Sequence, residues 1–129
     1  MKTKNKITQP TPELAAKYAE ACPYEWCEED GRHTCVPADV NDVARYAATV
    51  VREENTLDGS EFEAKIYKDG VVVLGVYNDG WGGPHQYFGK DEEFAEFVAA
   101  ARRAYPTYEY KYDYTDALTE FLVGVGEIA

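Results

Sequence analysis

The Asp69-Gly70 dipeptide commits the middle of the chain to an antiparallel hairpin. A two-residue type I′ turn needs positive φ at both central positions, and Asp-Gly supplies it at little cost. The flanks have strand chemistry. Glu61 to Lys68 alternates, with Phe62, Ala64 and Ile66 on one face and Glu61, Glu63 and Lys65 on the other. Val71 to Tyr77 is apolar on both faces, which predicts a strand in the interior of a sheet. A two-residue loop sets Lys68 opposite Val71, Ile66 opposite Val73 and Phe62 opposite Tyr77. Tyr87-Phe88 suggests a third strand.

Helices are expected on either side. Thr11-Pro12-Glu13 provides a capping hydroxyl, a proline at the first helical position and an acid at the positive end of the dipole. Leu14, Tyr18, Ala21 and Cys22 then share a face, and Pro23 ends the helix. Asp39 caps a second helix, where Val40, Val43, Ala44, Ala47, Val50 and Val51 form the clearest 3/4-spaced stripe in the chain. Asn55 to Ser60 reads as a turn. Asp91-Glu92-Glu93 opens a third helix that Arg102-Arg103 closes, with Phe94, Phe97, Val98 and Ala101 facing inward. Tyr105 to Tyr114 alternates, placing Tyr108, Tyr110, Tyr112 and Tyr114 on one face of a fourth strand. Thr115 caps a short last helix through Ala117, Leu118, Phe121 and Leu122, and Gly124 and Gly126 mark its end. The expected fold is α+β, an antiparallel, hairpin-based sheet of three to four strands with about four helices packed on it. Residues 1–10 read as a disordered basic arm and residues 11–129 as a single α+β domain.

Charge narrows the function. The chain carries 24 acids against 13 bases, a net charge of −11. Three of the bases, Lys2, Lys4 and Lys6, sit in the first six residues, so the folded body is more acidic still. Such a surface repels nucleic acid and anionic membrane and attracts basic proteins, many of which bind nucleic acid. The plainer reading of the acidity is solubility. The opening segment has positive charge with no apolar run behind it, so a cytoplasmic protein with reduced cysteines is expected.

Three groups of residues are candidates for chemistry. Cys22, Cys27, His33 and Cys35 lie within fourteen residues and form a possible Zn²⁺ set. Their intervening gaps of four, five and one residues depart from the paired spacing of zinc knuckles. The alternative is buried thiols beside an exposed histidine. The second group is the Gly-rich stretch Asn78-Asp-Gly-Trp-Gly-Gly-Pro-His85, which offers Asp79, Trp81 and His85 as contact residues. It matches neither phosphate-binding glycine motif, and the acidic start of the next helix would repel phosphate. The alternative tucks Trp81 onto the sheet. The third group is the acids, in three clusters: Glu28-Glu29-Asp30, Glu53-Glu54 with Asp58, and Asp91-Glu92-Glu93 with Glu96, where Glu92 and Glu96 share a helix face that Glu93 flanks. The alternative is a solvated charge cluster.

The Asn-Asp-Gly-x-Gly-Gly stretch, following a hairpin and preceding an aromatic pair and an acidic helix, resembles uncharacterised small phage and actinobacterial (mobile-element) proteins over residues 62–101. That resemblance implies a provenance and carries no activity with it. A cysteine nucleophile at Cys27 or Cys35 is disfavoured, because Glu25, Glu28, Glu29 and Asp30 raise the cost of a thiolate. The sequence therefore points to a non-enzymatic acidic interaction protein without a cofactor. Its expected role is that of a phage or mobile-element inhibitor, of the anti-CRISPR or anti-restriction type, acting on a host nucleic-acid-binding complex. Carboxylates would stand in for phosphates and tyrosines for bases, with Asp79, Trp81, His85, Glu92, Glu93 and Glu96 as partner-binding residues. The alternative is a small zinc-binding adaptor.

Overall fold

The computed structural model describes residues 7–22, 28–29, 32–55, 57 and 59–129. From the N-terminus these form helix α1 (Pro12–Ala21), the short strands β1 (Glu28–Glu29) and β2 (Arg32–His33) and a 3₁₀ turn (Val40–Val43). Strands β3 (Tyr46–Asn55), β4 (Ser60–Lys68), β5 (Val71–Asn78) and β6 (Gln86–Gly89) follow, then helices α2 (Asp91–Ala104) and α3 (Lys111–Ile128). The fold is α+β. Strands β3-β4-β5-β6 make one antiparallel sheet in sequence order, and β1 and β2 pair separately. Helix α3 packs on β3, α2 on β5 and β6, and α1 on α3. Phe97, Leu118, Phe121 and Leu122 meet Ala48, Ala64, Ile66, Leu74 and Val76 in one core between helices and sheet. No helix among the described residues is long and apolar enough to cross a membrane.

The hairpin forms as its dipeptide requires. Asp69 (φ 53°) and Gly70 (φ 81°) both take positive φ, and Lys68 pairs with Val71. The register then departs from the expected one: Tyr67 pairs with Val72 but Ile66 with Leu74, so Val73 bulges, and Phe62 faces Asn78 instead of Tyr77. Without the bulge, Ile66, Ala64 and Phe62 would share their face with Val73, Gly75 and Tyr77. The slip puts Leu74 and Val76, each 1% exposed, on the core side. A matching irregularity at Val51 lets Val50 pair with Ala64 and Arg52 with Glu63.

Three expected elements are corrected. The stripe from Val40 to Val51 is not a helix. Only the 3₁₀ turn forms there, with Asp39 Oδ1 accepting from Asn41 N–H at 3.1 Å, and the rest is β3. Tyr46 to Val50 is buried on both faces, and an unbroken apolar run satisfies 3/4 spacing as well as alternation does. The β-branched Thr49, Val50 and Val51 then favour the strand, which pairs along the whole of β4. Residues 105–110 form no strand. Tyr105 is buried with its Oη 3.1 Å from Cys35 O and 3.3 Å from Ala117 O, and helix α3 already starts at Lys111. The alternating tyrosines are therefore split: Tyr114 is buried, whereas Tyr110 and Tyr112 are exposed. Finally, Thr115 lies inside α3 instead of capping it, and Gly124 and Gly126 lie within the same helix. There they permit close packing. A Cβ on Gly124 would run into the Tyr18 ring, and one on Gly126 would come within 3.3 Å of Ala48 O. The described residues thus hold three α-helices, with α1 starting at the expected Thr11–Pro12 cap.

Candidate functional site

The chemistry gathers where β5 leaves the sheet. Asn78, the last residue of β5, is buried and folds its amide back over the following loop. Its Oδ1 accepts from Gly80 N–H at 2.8 Å, and its Nδ2 donates to Gly83 O at 3.0 Å. These two backbone partners, a donor and an acceptor, leave only one orientation for the amide. The second Nδ2 hydrogen then points to His85 Nδ1, 3.0 Å away. Nδ1 must accept, so the neutral ring carries its proton on Nε2. Gly80 (φ 82°) and Gly82 (φ 88°) supply the left-handed backbone that brings the loop around Asn78.

The imidazole is held on every side. Its side chain is 8% exposed, and the Phe62 ring lies 4.9 Å away between centroids. The His85 backbone N–H donates to Asp116 Oδ2 at 3.0 Å. Nε2 is 3.4 Å from Glu120 Oε1 but lacks the alignment of a hydrogen bond, and it has no hydrogen-bond partner among the described residues. Beneath the ring, Tyr87 Oη lies 2.9 Å from Asp116 Oδ1 and 2.7 Å from Thr119 Oγ1. Burial raises the Asp116 carboxyl above its ordinary range, against the lowering effect of the hydrogen bonds from His85 and Tyr87. Burial, and then the neighbouring Asp116, raise the Tyr87 phenol.

Beside His85 opens a cleft of about 520 Å³, within the range of small-ligand sites. Phe62 and Tyr18 form apolar walls, and Glu53, Glu120 and Glu127 supply three carboxylates. Glu53 reaches it because β3 sets Glu53 opposite Phe62. Glu120, Val123, Gly124 and Glu127 follow one another along a single face of α3, at helical i, i+3, i+4, i+7 spacing. Among the described residues, no lysine or arginine lines the cleft. The site offers acceptors for a cation and one fixed donor. Nε2, already protonated, has no lone pair free for a metal ion or for a substrate proton.

The residues singled out from sequence are distributed unevenly around this site. His85 lies inside it, with its side chain 8% exposed. Trp81 is 60% exposed on the loop whose glycines line the cleft, and Asp79 Oδ1 accepts the Trp81 N–H at 3.0 Å. On α2, Glu92 is exposed, but Glu93 and Glu96 each lie 2.6 Å from Lys68 Nζ. Arg45 is 3.9 Å from Glu96 and pairs with Asp69 at 2.6 Å. The Glu96 carboxyl is held below its ordinary range, chiefly by the Lys68 hydrogen bond. Of the proposed zinc set, Cys27 and the side chain of His33 lie outside the described residues. Cys22 and Cys35 are half-buried. Among the described residues, no group of three or more metal-ligating side chains is placed to hold an ion.

Sequence reasoning missed Glu120, Glu127 and the locking role of Asn78, and it noted Glu53 only as a member of an acidic cluster, not as part of this site. Asp116, Glu120 and Glu127 are spaced for one helical face, but ending the last helix at Gly124 hid that pattern. No family model, curated protein or solved structure matches the chain.

Proposed function

We propose that this chain is a non-enzymatic acidic binding protein that engages a basic protein surface of the kind that otherwise holds nucleic acid. One observation carries the reading: among the described residues, the cleft is lined by three glutamates and no lysine or arginine, next to an imidazole fixed as a donor. Such a site attracts a cation. The net charge of −11 extends the same preference over the whole surface, and exposed Trp81 offers an aromatic anchor beside the cleft. In this reading the protein inhibits its partner by occupying the nucleic-acid surface, as expected of a phage or mobile-element inhibitor.

The test is capture of binding proteins from a bacterial lysate on the immobilised chain, followed by elution with duplex DNA or with salt. The expected eluate contains basic nucleic-acid-binding proteins released by both. Partners indifferent to DNA and to salt would contradict the reading.

A further inference from the structure

We propose that the cleft is a receptor for a single arginine side chain of a protein partner. The guanidinium lies among Glu53, Glu120 and Glu127, and a backbone carbonyl of the same partner accepts the His85 Nε2 proton. This rests on the reading of the chain as a binder of basic proteins and names the chemistry of the contact.

Two independent observations converge on that ligand. The first is charge: three carboxylates share one concavity with no lysine or arginine among its described lining residues. Elsewhere four of the described bases pair with acids: Arg45 with Asp69, Arg52 with Glu61, Lys68 with Glu93 and Glu96, and Arg103 with Asp42. The second is the imidazole. More than nine-tenths of the His85 side chain is buried, yet Nε2 has no hydrogen-bond partner among the described residues and the ring lines the cleft. A buried donor left without an acceptor is costly, and Glu120, 3.4 Å away, is misaligned for it; the Glu120 side chain, itself exposed, turns toward the guanidinium to admit a carbonyl to Nε2. A ligand that brings both a cation and an acceptor oxygen completes the site. A peptide arginine has both.

The alternatives fit less well. A metal ion bound through His85 needs the Nε2 lone pair that the Asn78 amide denies it, and among the described residues no three metal-ligating side chains are placed to hold one. An anion would face three carboxylates. Arginine suits the cleft better than lysine, because its planar fork bonds several carboxylates at once and stacks on aromatic faces such as Phe62 and Tyr18. Its methylene stem matches the apolar walls at Val50 and Val123.

The experiment titrates the peptide acetyl-Gly-Arg-Gly-amide into the full chain, following the amide resonances of Gly80, Gly82, Gly83 and Gly124 and the His85 ring. The isosteric citrulline peptide, which is neutral, and agmatine, which has the guanidinium without a peptide carbonyl, serve as comparisons. Saturable shifts confined to the cleft are expected with the arginine peptide, with affinity at least about tenfold above both comparisons. Glu120→Gln with Glu127→Gln, both exposed positions whose melting temperature confirms folding, should abolish the difference between arginine and citrulline. Equal binding of arginine and citrulline peptides, shifts elsewhere on the surface, or an unaffected double variant would each overturn the proposal. Agmatine matching the peptide would overturn it too, by assigning the cleft to a free amine. A basic partner captured from lysate, released by DNA and bound equally by the double variant would defeat the cleft assignment and leave the wider reading standing. Arginine-peptide binding in the cleft without any such partner would do the reverse.

Discussion

Replacing Asn78 by Asp exchanges the amide hydrogen given to His85 Nδ1 for a carboxylate oxygen. In the Asn78→Asp variant the ring proton should move to Nδ1, leaving the Nε2 lone pair to face the cleft. Long-range ¹H–¹⁵N spectra of His85 read this directly, and a proton found on Nδ1 in the unaltered chain would contradict the lock. Asp116, below the same ring, gives a second prediction with a defined sign. Its folded-state value is raised, so the folded chain binds that proton more readily than the unfolded one. The stability it contributes is full below the ordinary aspartate value of 3.8 and is lost as pH rises through the raised value. Asp116→Asn keeps an acceptor for His85 N–H and does not titrate. Thermal melts should therefore show the variant gaining on the parent as pH rises through that window. A gap independent of pH would show that Asp116 is not the group responsible.

At the level of elements, two of the misread segments had patterns that satisfied two periods at once, and the third, in α3, carried cap-like and stop-like residues inside the helix. The hairpin was legible because Asp69-Gly70 admits few conformations, and α2 because its apolar stripe and its terminal charges agree. The run from Val40 to Val51 was ambiguous, since a strand buried on both faces has no alternation to betray it. The tyrosines from 108 to 114 alternate by composition, but the packing of Tyr114 with Leu118, Phe121 and Val125 follows the helical period. The bulge at Val73 was beyond reach of a turn-based register, because it arises from the demand that Leu74 and Val76 face the core. Gly70→Val should cost about 1–2 kcal/mol, since a β-branched residue is strained at φ 81° although nothing crowds the site. Chemical denaturation measures it, and an unchanged midpoint would contradict the turn assignment. Gly124→Ala gains about 1 kcal/mol of helix propensity but forces the Tyr18 ring off Phe121, against an overpacking cost of about 1–3 kcal/mol. A net loss of about 1 kcal/mol is expected. A stabilised variant would mean that α1 does not pack on α3 as described.

Over the whole molecule, the described acids include some engaged in ion pairs, some that face the cleft and some, such as Glu92, that do neither. Glu93 and Glu96 bracket Lys68, so Glu93→Lys with Glu96→Lys should lower the melting temperature, whereas Glu92→Lys should leave it nearly unchanged. Equal melting behaviour of the two would contradict the bracket. The carboxylates facing the cleft should instead govern binding, through attractions that salt screens over about 8–10 Å. The direct test is the affinity of a nona-arginine peptide, titrated calorimetrically at rising NaCl concentration, for the parent chain and for a variant with Glu53, Glu120 and Glu127 all changed to Gln. The parent should bind and weaken steeply with salt, while the variant, still folded, should bind more weakly with a shallower salt dependence. Identical affinity and identical salt dependence for the two chains would contradict a cation-receiving cleft.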